Sequence, residues 1–505
     1  MSRSSLSGSR AGSTAGSPRG SLSRKARLAA LALVLGVGVA LSFTAPAHAD
    51  LPGADAQLTR APYLSDATTT SVQVNWATTT QSRGSVRYGP LGDCAAQTAT
   101  SASLGSPITV GSTREYANSV TLTGLSASTG FCYRVYTASG TDLLGTLATP
   151  SFTTPDSASS TAPFTFAVLG DTGETTNSGV DDGSVNVNQA NVMSRIGSSG
   201  ARFVLQTGDN THPGTSQTQY GDLNQTGADV SSWFGPSYWT QPGMRIPLIG
   251  TVGNHSMTAT YLSVWKQPAL TAASGGVFGM VDYPSYLGSN AISYPTTYYA
   301  FTTGGVRFYV LDTAWGNSNT GSATGGSCGS HCAIYEQDAH AHWQSGSAEY
   351  AWLKADLAAH PTGPKFAFFH FPLRSDSASE PSDTFLADVE QTLLDGGVDL
   401  VFNGHSHLYQ RNSAGAGRIV SYVTGGGGAD VHSVGESGCS ATDAYGIGWS
   451  YSRNRGSACG AATAPTDDAQ VYHFLKVTVD GTSVTVAPTD SLGQTFDVQT
   501  YTVTP

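Results

Sequence analysis

The sequence predicts a layered α/β domain preceded by an all-β sandwich, and three observations carry that prediction. Residues 50–155 hold short runs of alternating polar and apolar residues separated by turn signals. From residue 164 onward, hydrophobic strands alternate with helical segments, as in a layered α/β domain. Between them, Thr153–Pro163 is rich in Ser, Thr, Ala and Pro and reads as a linker. These observations set the bounds at 50–155, a linker at 156–163, and a second domain at 164–505.

In the first domain, Ser71–Trp76 alternates with period two, as a half-buried strand should. Ser85–Tyr88 is a second strand, ended by the turn signal Gly89-Pro90. Ser119–Leu122 runs to Gly124, and Phe131–Tyr136 alternates again. This spacing suits an immunoglobulin-like or fibronectin-like sandwich, with Trp76 in its core. In the second domain the expected strands are Phe164–Leu169, Arg202–Leu205, Arg245–Ile249, Val306–Leu311, Lys365–Phe369 and Leu400–Phe402. Helices are expected over Asn188–Gly197, Glu349–Ala359 and Asp383–Asp395. Phe474–Val479 and Ser483–Val486 flank Asp480-Gly481, a hairpin signal. Residues 313–348 and 425–465, rich in Gly, Ser and Ala, read as long loops, either functional or tolerated surface insertions.

Composition narrows the class of function. The chain has 505 residues, with 24 Lys+Arg against 35 Asp+Glu, for a formal charge of −11. That acidity argues against a nucleic-acid binder, which would carry a basic stripe. It does not exclude a phosphorylated substrate, because bound metal can override the global sign. Arg24, Lys25 and Arg27 precede an apolar run, Leu28–Phe43, and the small-x-small site Ala47-His48-Ala49. Residues 1–49 therefore read as a signal peptide cut near Ala49, giving a secreted, extracellular protein without a membrane span. An uncleaved anchor fits less well, since the run is shorter than the ~20 residues a span needs. The export route and the oligomeric state stay open.

All six cysteines lie beyond that segment. An even count in an exported chain favours disulfides. Proximity suggests Cys94–Cys132, Cys328–Cys332 and Cys439–Cys459, among several possible pairings. Cys328-Gly-Ser-His-Cys332 could instead clip a metal, but no further cysteine lies near enough to complete a Cys-rich site.

One pattern repeats along the second domain. A hydrophobic strand stops and a metal-ligating residue type follows: Asp171, Asp209, Asn254, His370, and the pair His405/His407. In α/β folds, ligands gather beyond the carboxyl ends of the strands, so one shared edge would bring these groups together. Mixed carboxylate, amide and imidazole ligands suit Fe, Zn or Mn. Singly, each has an ordinary alternative. Gly-Asp after a strand is commonly a turn, and His370 between Phe369 and Phe371 could be a core histidine. Gly404-His-Ser-His407 is the most specific of the set.

The ordered blocks Gly170-Asp171-Thr-Gly173, Gly208-Asp209-Asn-Thr-His212, Gly253-Asn-His255, Phe368-Phe-His370-Phe-Pro372 and Gly404-His-Ser-His407 resemble the calcineurin-like metallophosphoesterases. Within them, Gly-Asp-x-Gly resembles the purple acid phosphatase branch. Arg60-Ala-Pro-Tyr-Leu64 and the following β domain resemble that branch's fibronectin type III-like domain. The resemblance implies hydrolysis of phosphate esters by a hydroxide bridging two metal ions. Asp171, Asp209 and His407 would hold the first ion. Asp209, Asn254, His370 and His405 would hold the second, with Asp209 bridging. A bridging carboxylate offsets the repulsion of two cations ~4 Å apart.

Two departures from the branch bear on mechanism. Where purple acid phosphatases place a tyrosine after the bridging aspartate, this chain has His212. A phenolate stabilises ferric iron and gives the purple colour; imidazole does neither as well. Two divalent ions and a colourless protein are therefore expected, with His212 a ligand. The histidine pair that plant-type members carry after the His370 position is replaced by Ser379 and Glu380. His255 remains as phosphate contact or general acid, with Asn254 beside it and Arg374 as a possible phosphate contact or a solvated loop residue. Phosphomonoesters are the first expected substrate class. A phosphodiesterase on nucleotides or lipid headgroups is the alternative. A non-enzymatic extracellular binding protein with a relict metal site is the reading from a different class.

Overall fold

The computed structural model describes residues 51–504 apart from 102–103, 105–106, 111–112, 174–185, 213–219, 225–232, 252, 256–297, 314–347, 378–385 and 416. The proposed signal peptide, Cys328–Cys332, Ser379, Glu380 and nearly all of the 313–348 loop lie outside the described residues. No helix among the described residues is long and apolar enough to cross a membrane.

The first domain is a sandwich of two four-stranded sheets. Its strands are β1 (Leu58–Ser65), β2 (Val72–Thr78), β3 (Ser85–Pro90), β4 (Gln97–Thr100), β5 (Ile108–Val110), β6 (Thr113–Leu122), β7 (Gly130–Tyr136) and β8 (Ser151–Thr153). One sheet runs β1-β2-β6-β5 and the other β4-β3-β7-β8. Trp76 is buried in the core, as expected. Strand β3 continues through Gly89-Pro90, which pair with Cys132 and Phe131, so the expected turn begins only after the proline. Strand β1 escapes a period-two reading because register shifts interrupt it on both sides of Arg60 and every residue is buried. Disulfides join Cys94 to Cys132 here, and Cys439 to Cys459 in the second domain.

The segment after β8 is not a free tether. The Asp156 carbonyl accepts from Thr303 Oγ1 at 2.9 Å, and the Ser157 and Ala158 carbonyls accept from Gly304 and Gly305. The sandwich also grips its neighbour directly: Tyr133 Oη donates to the Met244 carbonyl at 2.9 Å, and the Leu223 amide to the Thr59 carbonyl at 2.7 Å. Arg60 pairs with buried Glu115 at 3.1 Å while its guanidinium lies over the Phe234 ring.

The second domain stacks two sheets. A six-stranded sheet contains β9 (Phe164–Leu169), β10 (Val204–Gln206) and β11 (Leu248–Gly250). An eight-stranded sheet contains β12 (Tyr299–Thr303), β13 (Val306–Val310), β14 (Lys365–Phe368), β15 (Leu400–Asn403), β16 (Tyr409–Asn412), β17 (Val420–Thr424), β18 (Asp443–Ser450) and β19 (Arg455–Gly460). The hairpin β20 (His473–Asp480) and β21 (Ser483–Asp490), with β22 (Gln499–Thr502), completes the first sheet. Gly481 turns that hairpin at φ 58°.

Side-chain alternation divides the layers. Phe166, Phe308, Phe366, Phe368 and Phe402 point between the sheets, where Phe166 meets Phe308 edge-on at 5.3 Å and Phe368 stacks on Phe402 at 4.9 Å. The intervening Ala167 and Leu169 face outward onto helix α1 (Val187–Ser198) through Val192, Met193 and Ile196. A four-residue turn, α2 (Thr240–Gly243), lies beside it. On the other sheet, Ala367, Phe369 and Val401 face α3 (Ala348–Ala359) and α4 (Ala387–Asp395). The six-stranded sheet pairs β9, β10 and β11 in parallel, and the eight-stranded sheet pairs β13, β14, β15 and β17 likewise.

Residues 425–465 are not one long loop. They supply β18 and β19, and their first eight residues form a strap that hydrogen-bonds to Leu408, Gly170, Asp171 and His407. Low hydrophobicity hid this segment, because main-chain bonding holds it in place of a buried side-chain row.

Candidate metal centre

Parallel register aligns the strand ends within each sheet, and the stacking of the two sheets brings the candidate ligands of both to one end. Leu169, Gln206 and Gly250 end their strands side by side, and Phe368 pairs with Phe402 near the ends of β14 and β15. The candidates follow within a few residues of each strand end. Asp171, Asp209 and His405 occupy the left-handed region, at φ 58°, 48° and 68°. Such turns cost on the order of 1–3 kcal/mol each and persist where surrounding structure enforces them. Gly208, at φ 109°, is required for another reason: a Cβ there would run into the His370 ring.

Asp209 is central. Its Oδ2 lies 3.1 Å from His370 Nε2 and 3.5 Å from His212 Nε2, and its Oδ1 accepts the His255 backbone N–H at 2.7 Å. Asp171 Oδ2 accepts the His405 N–H at 2.8 Å, and its Oδ1 lies 3.6 Å from His407 Nε2. Asn254 Oδ1 lies 2.8 Å from His370 Nε2 and 3.1 Å from His405 Nδ1.

Three imidazoles are aimed by the main chain. The Nδ1–H groups of His212, His370 and His407 donate to the carbonyls of Thr172, Thr207 and Asp430, at 3.0, 3.0 and 2.7 Å. A carbonyl can only accept, so Nδ1 carries the proton and Nε2 is left to bind a cation, the arrangement metal-ligating histidines adopt. Burial opposes charge on these groups, but their mutual attraction overrides it. Despite burial, His370 and His212 hold Asp209 well below the usual carboxylate range. Burial likewise opposes protonation of His370, yet Asp209 pushes its pKa up to about 9. Asp209 raises His212 as well.

These residues fit two cations. Asp171 Oδ1 and His212 Nε2 are buried and make no hydrogen bond, although a buried polar atom left so is costly. Asp171, His212 and His407 present ligand atoms within 4.8 Å of one another, as do Asp171, Asp209 and His370, and Asp209, His212 and His255. His212 thus joins the group expected for the first ion. Cys439 and Cys459 also lie near Asp443, but their disulfide removes the thiolates a metal would need.

Arg374 corrects the reading of a phosphate contact. Its Nη1 binds both Glu390 oxygens, at 2.6 and 2.8 Å, and its Nη2 donates to the Ile419 carbonyl at 2.7 Å. The guanidinium fastens α4 to the sheet. Sequence reasoning missed His432, whose ring stacks on His407, and the strap carbonyl of Asp430. The run Gly425-Gly-Gly-Gly428 was the available signal: the strap crosses the site where a Cβ at Gly425 or Gly427 would strike main chain.

Comparison with known proteins bears on the two domains. The purple acid phosphatase N-terminal domain family matches residues 61–154, and the calcineurin-like phosphoesterase family matches residues 164–409. Purple acid phosphatase 18 of Arabidopsis thaliana is 40% identical over 70 residues, which span 13% of this chain and 16% of that relative. The structure of purple acid phosphatase PPD1 from yellow lupin (Lupinus luteus) seeds shares the fold, with a TM-score of 0.56 at 15% identity over 87% of this chain and 74% of that one. Residues 164–409 thus form a calcineurin-like phosphoesterase domain, and residues 61–154 match the N-terminal domain of the purple acid phosphatases.

Proposed function

We propose that this chain is a secreted, metal-dependent hydrolase of phosphate monoesters. The observation that carries the reading is the convergence of two buried aspartates with His212, His370 and His407 beyond the strand ends of both stacked sheets. Asp171, Asp209, His212 and His407 would hold the first ion; Asp209, Asn254, His370 and His405 would hold the second. Two divalent ions there would supply Lewis-acid charge to the phosphoryl oxygens and acidify a water nucleophile. The chain's own contribution is preorganisation. Backbone carbonyls aim the imidazoles, and Asp209 lies between the two halves. His255 is half-buried, with its ring 4.7 Å from that of His212, and its main chain is anchored on Asp209. In this reading its imidazole contacts phosphate and protonates the leaving alkoxide, with Asn254 beside it.

The substrate is a small phosphate ester, and no nucleic-acid partner is part of this reading. Comparing turnover of a monoester and a diester with one leaving group tests it: faster monoester cleavage is expected, and faster diester cleavage overturns the preference. His212 in place of a phenolate ligand predicts colourless protein. A visible charge-transfer band in the purified, metal-loaded enzyme would contradict that assignment.

A further inference from the structure

His432 lies outside every ligand group described above, yet it touches one of them closely. Its ring lies parallel to that of His407, with centroids 4.6 Å apart and planes 12° apart. Its own main chain is fixed at both ends: the His432 N–H donates to the His407 carbonyl at 2.7 Å, and its carbonyl accepts from Trp449 of β18 at 2.9 Å. Two residues earlier in the same strap, the Asp430 carbonyl accepts from His407 Nδ1. On another side, His212 meets the His407 ring edge-on at 5.0 Å and 84°.

A hydrogen bond through Nδ1 fixes one atom of an imidazole but leaves the ring free to tilt about that contact. A planar group held flat against its face removes the tilt. We propose that His432 is a positioning residue for the metal centre: its stacked ring, carried on the strap and anchored to β18, holds His407 so that Nε2 faces the first ion. The inference rests on the metal-centre reading above. The stack needs a flat ring and not a second ligand nitrogen, so the role should survive replacement by phenylalanine.

The test is titration of Co²⁺ into the metal-stripped full-length chain, read by visible absorption, with melting curves of each metal-free variant to confirm folding. His432→Ala should weaken one of two binding steps by about 10-fold or more, the scale of losing a group that orients a ligand. His432→Leu fills the space without a planar face, should behave like the alanine variant, and serves in its place if that variant does not fold. His432→Phe should bind both ions as the wild type does. Unchanged binding in the alanine or leucine variant overturns the proposal, as does a phenylalanine variant as weak as they are. A wild-type chain that takes up no Co²⁺ overturns the metal-centre reading itself, and this inference with it.

Discussion

His370 and His473 are both fully buried imidazoles, and the fold treats them in opposite ways. Burial disfavours charge on each. Beside His370 stands the Asp209 carboxylate at 3.1 Å, and its pKa rises to about 9. His473, at the start of β20, meets the Val471 carbonyl and the Thr424 hydroxyl, and burial lowers its pKa to about 4. A buried histidine is therefore no sign of a site. A buried histidine set against a carboxylate is one, because the pair holds separated charge that a cation can take over. The two halves of the centre also differ. Asp171, His212 and His407 are almost fully buried, whereas Asn254 and His405 are only half-buried and Asn254 brings a neutral amide.

Removing the carboxylate breaks the contrast most completely. Asp209→Asn deletes the group shared by both halves, and turnover of a phosphate ester should fall on the order of 10³-fold, the upper range for one preorganised electrostatic group. Unchanged turnover would favour a non-enzymatic protein with a relict site.

Metal removal sharpens the difference between the halves. Under a chelator, the ion at Asn254 and His405 should leave roughly 10-fold faster than the one at Asp171 and His212. Metal analysis over time should then plateau near one ion per chain, and a single-phase loss of both would show that the halves are equivalent. Asn254→Ala should hasten only the early phase.

Acid pH isolates His473. Its folded pKa of about 4 lies below the 6.5 of an unperturbed histidine, so the unfolded chain binds more protons between them. The stability this group contributes is complete above pH 6.5 and is lost as pH falls toward 4, by about 3 kcal/mol in total. Urea melts at pH 7 and pH 4.5 should show part of that loss in the wild type and less in His473→Gln. Equal losses in both would assign the acid sensitivity elsewhere.

The smallest expected effect on catalysis is at Arg374. Its ion pair with Glu390 is mostly buried, so Arg374→Ala should lower stability by about 3 kcal/mol and leave KM within about twofold. A large rise in KM with intact folding would restore the phosphate-contact reading.

Much of the site was legible because its signal is local. A strand followed by Gly-Asp, Gly-Asn-His, His or Gly-His-Ser-His appears within a few residues; parallel register then aligns the ends within each sheet, and sheet stacking joins the two sets. Arg374 misled for the same reason: its place in the sequence is near His370, but its partner Glu390 lies on α4. The strap at 425–432 was illegible because glycine main chain does its bonding, and such segments carry no hydrophobic period.

By itself, the amino-acid order determined the two-domain plan, the strand ends and the kinds of ligand, since alternation and turn residues act over short range. Only the tertiary structure decided which nitrogen each histidine turns toward the centre, which carboxylate lies between the two halves, and which nearby cation is committed elsewhere. Those choices depend on carbonyls, sheets and helices far apart in the chain, whose contacts exist only once the layers have packed.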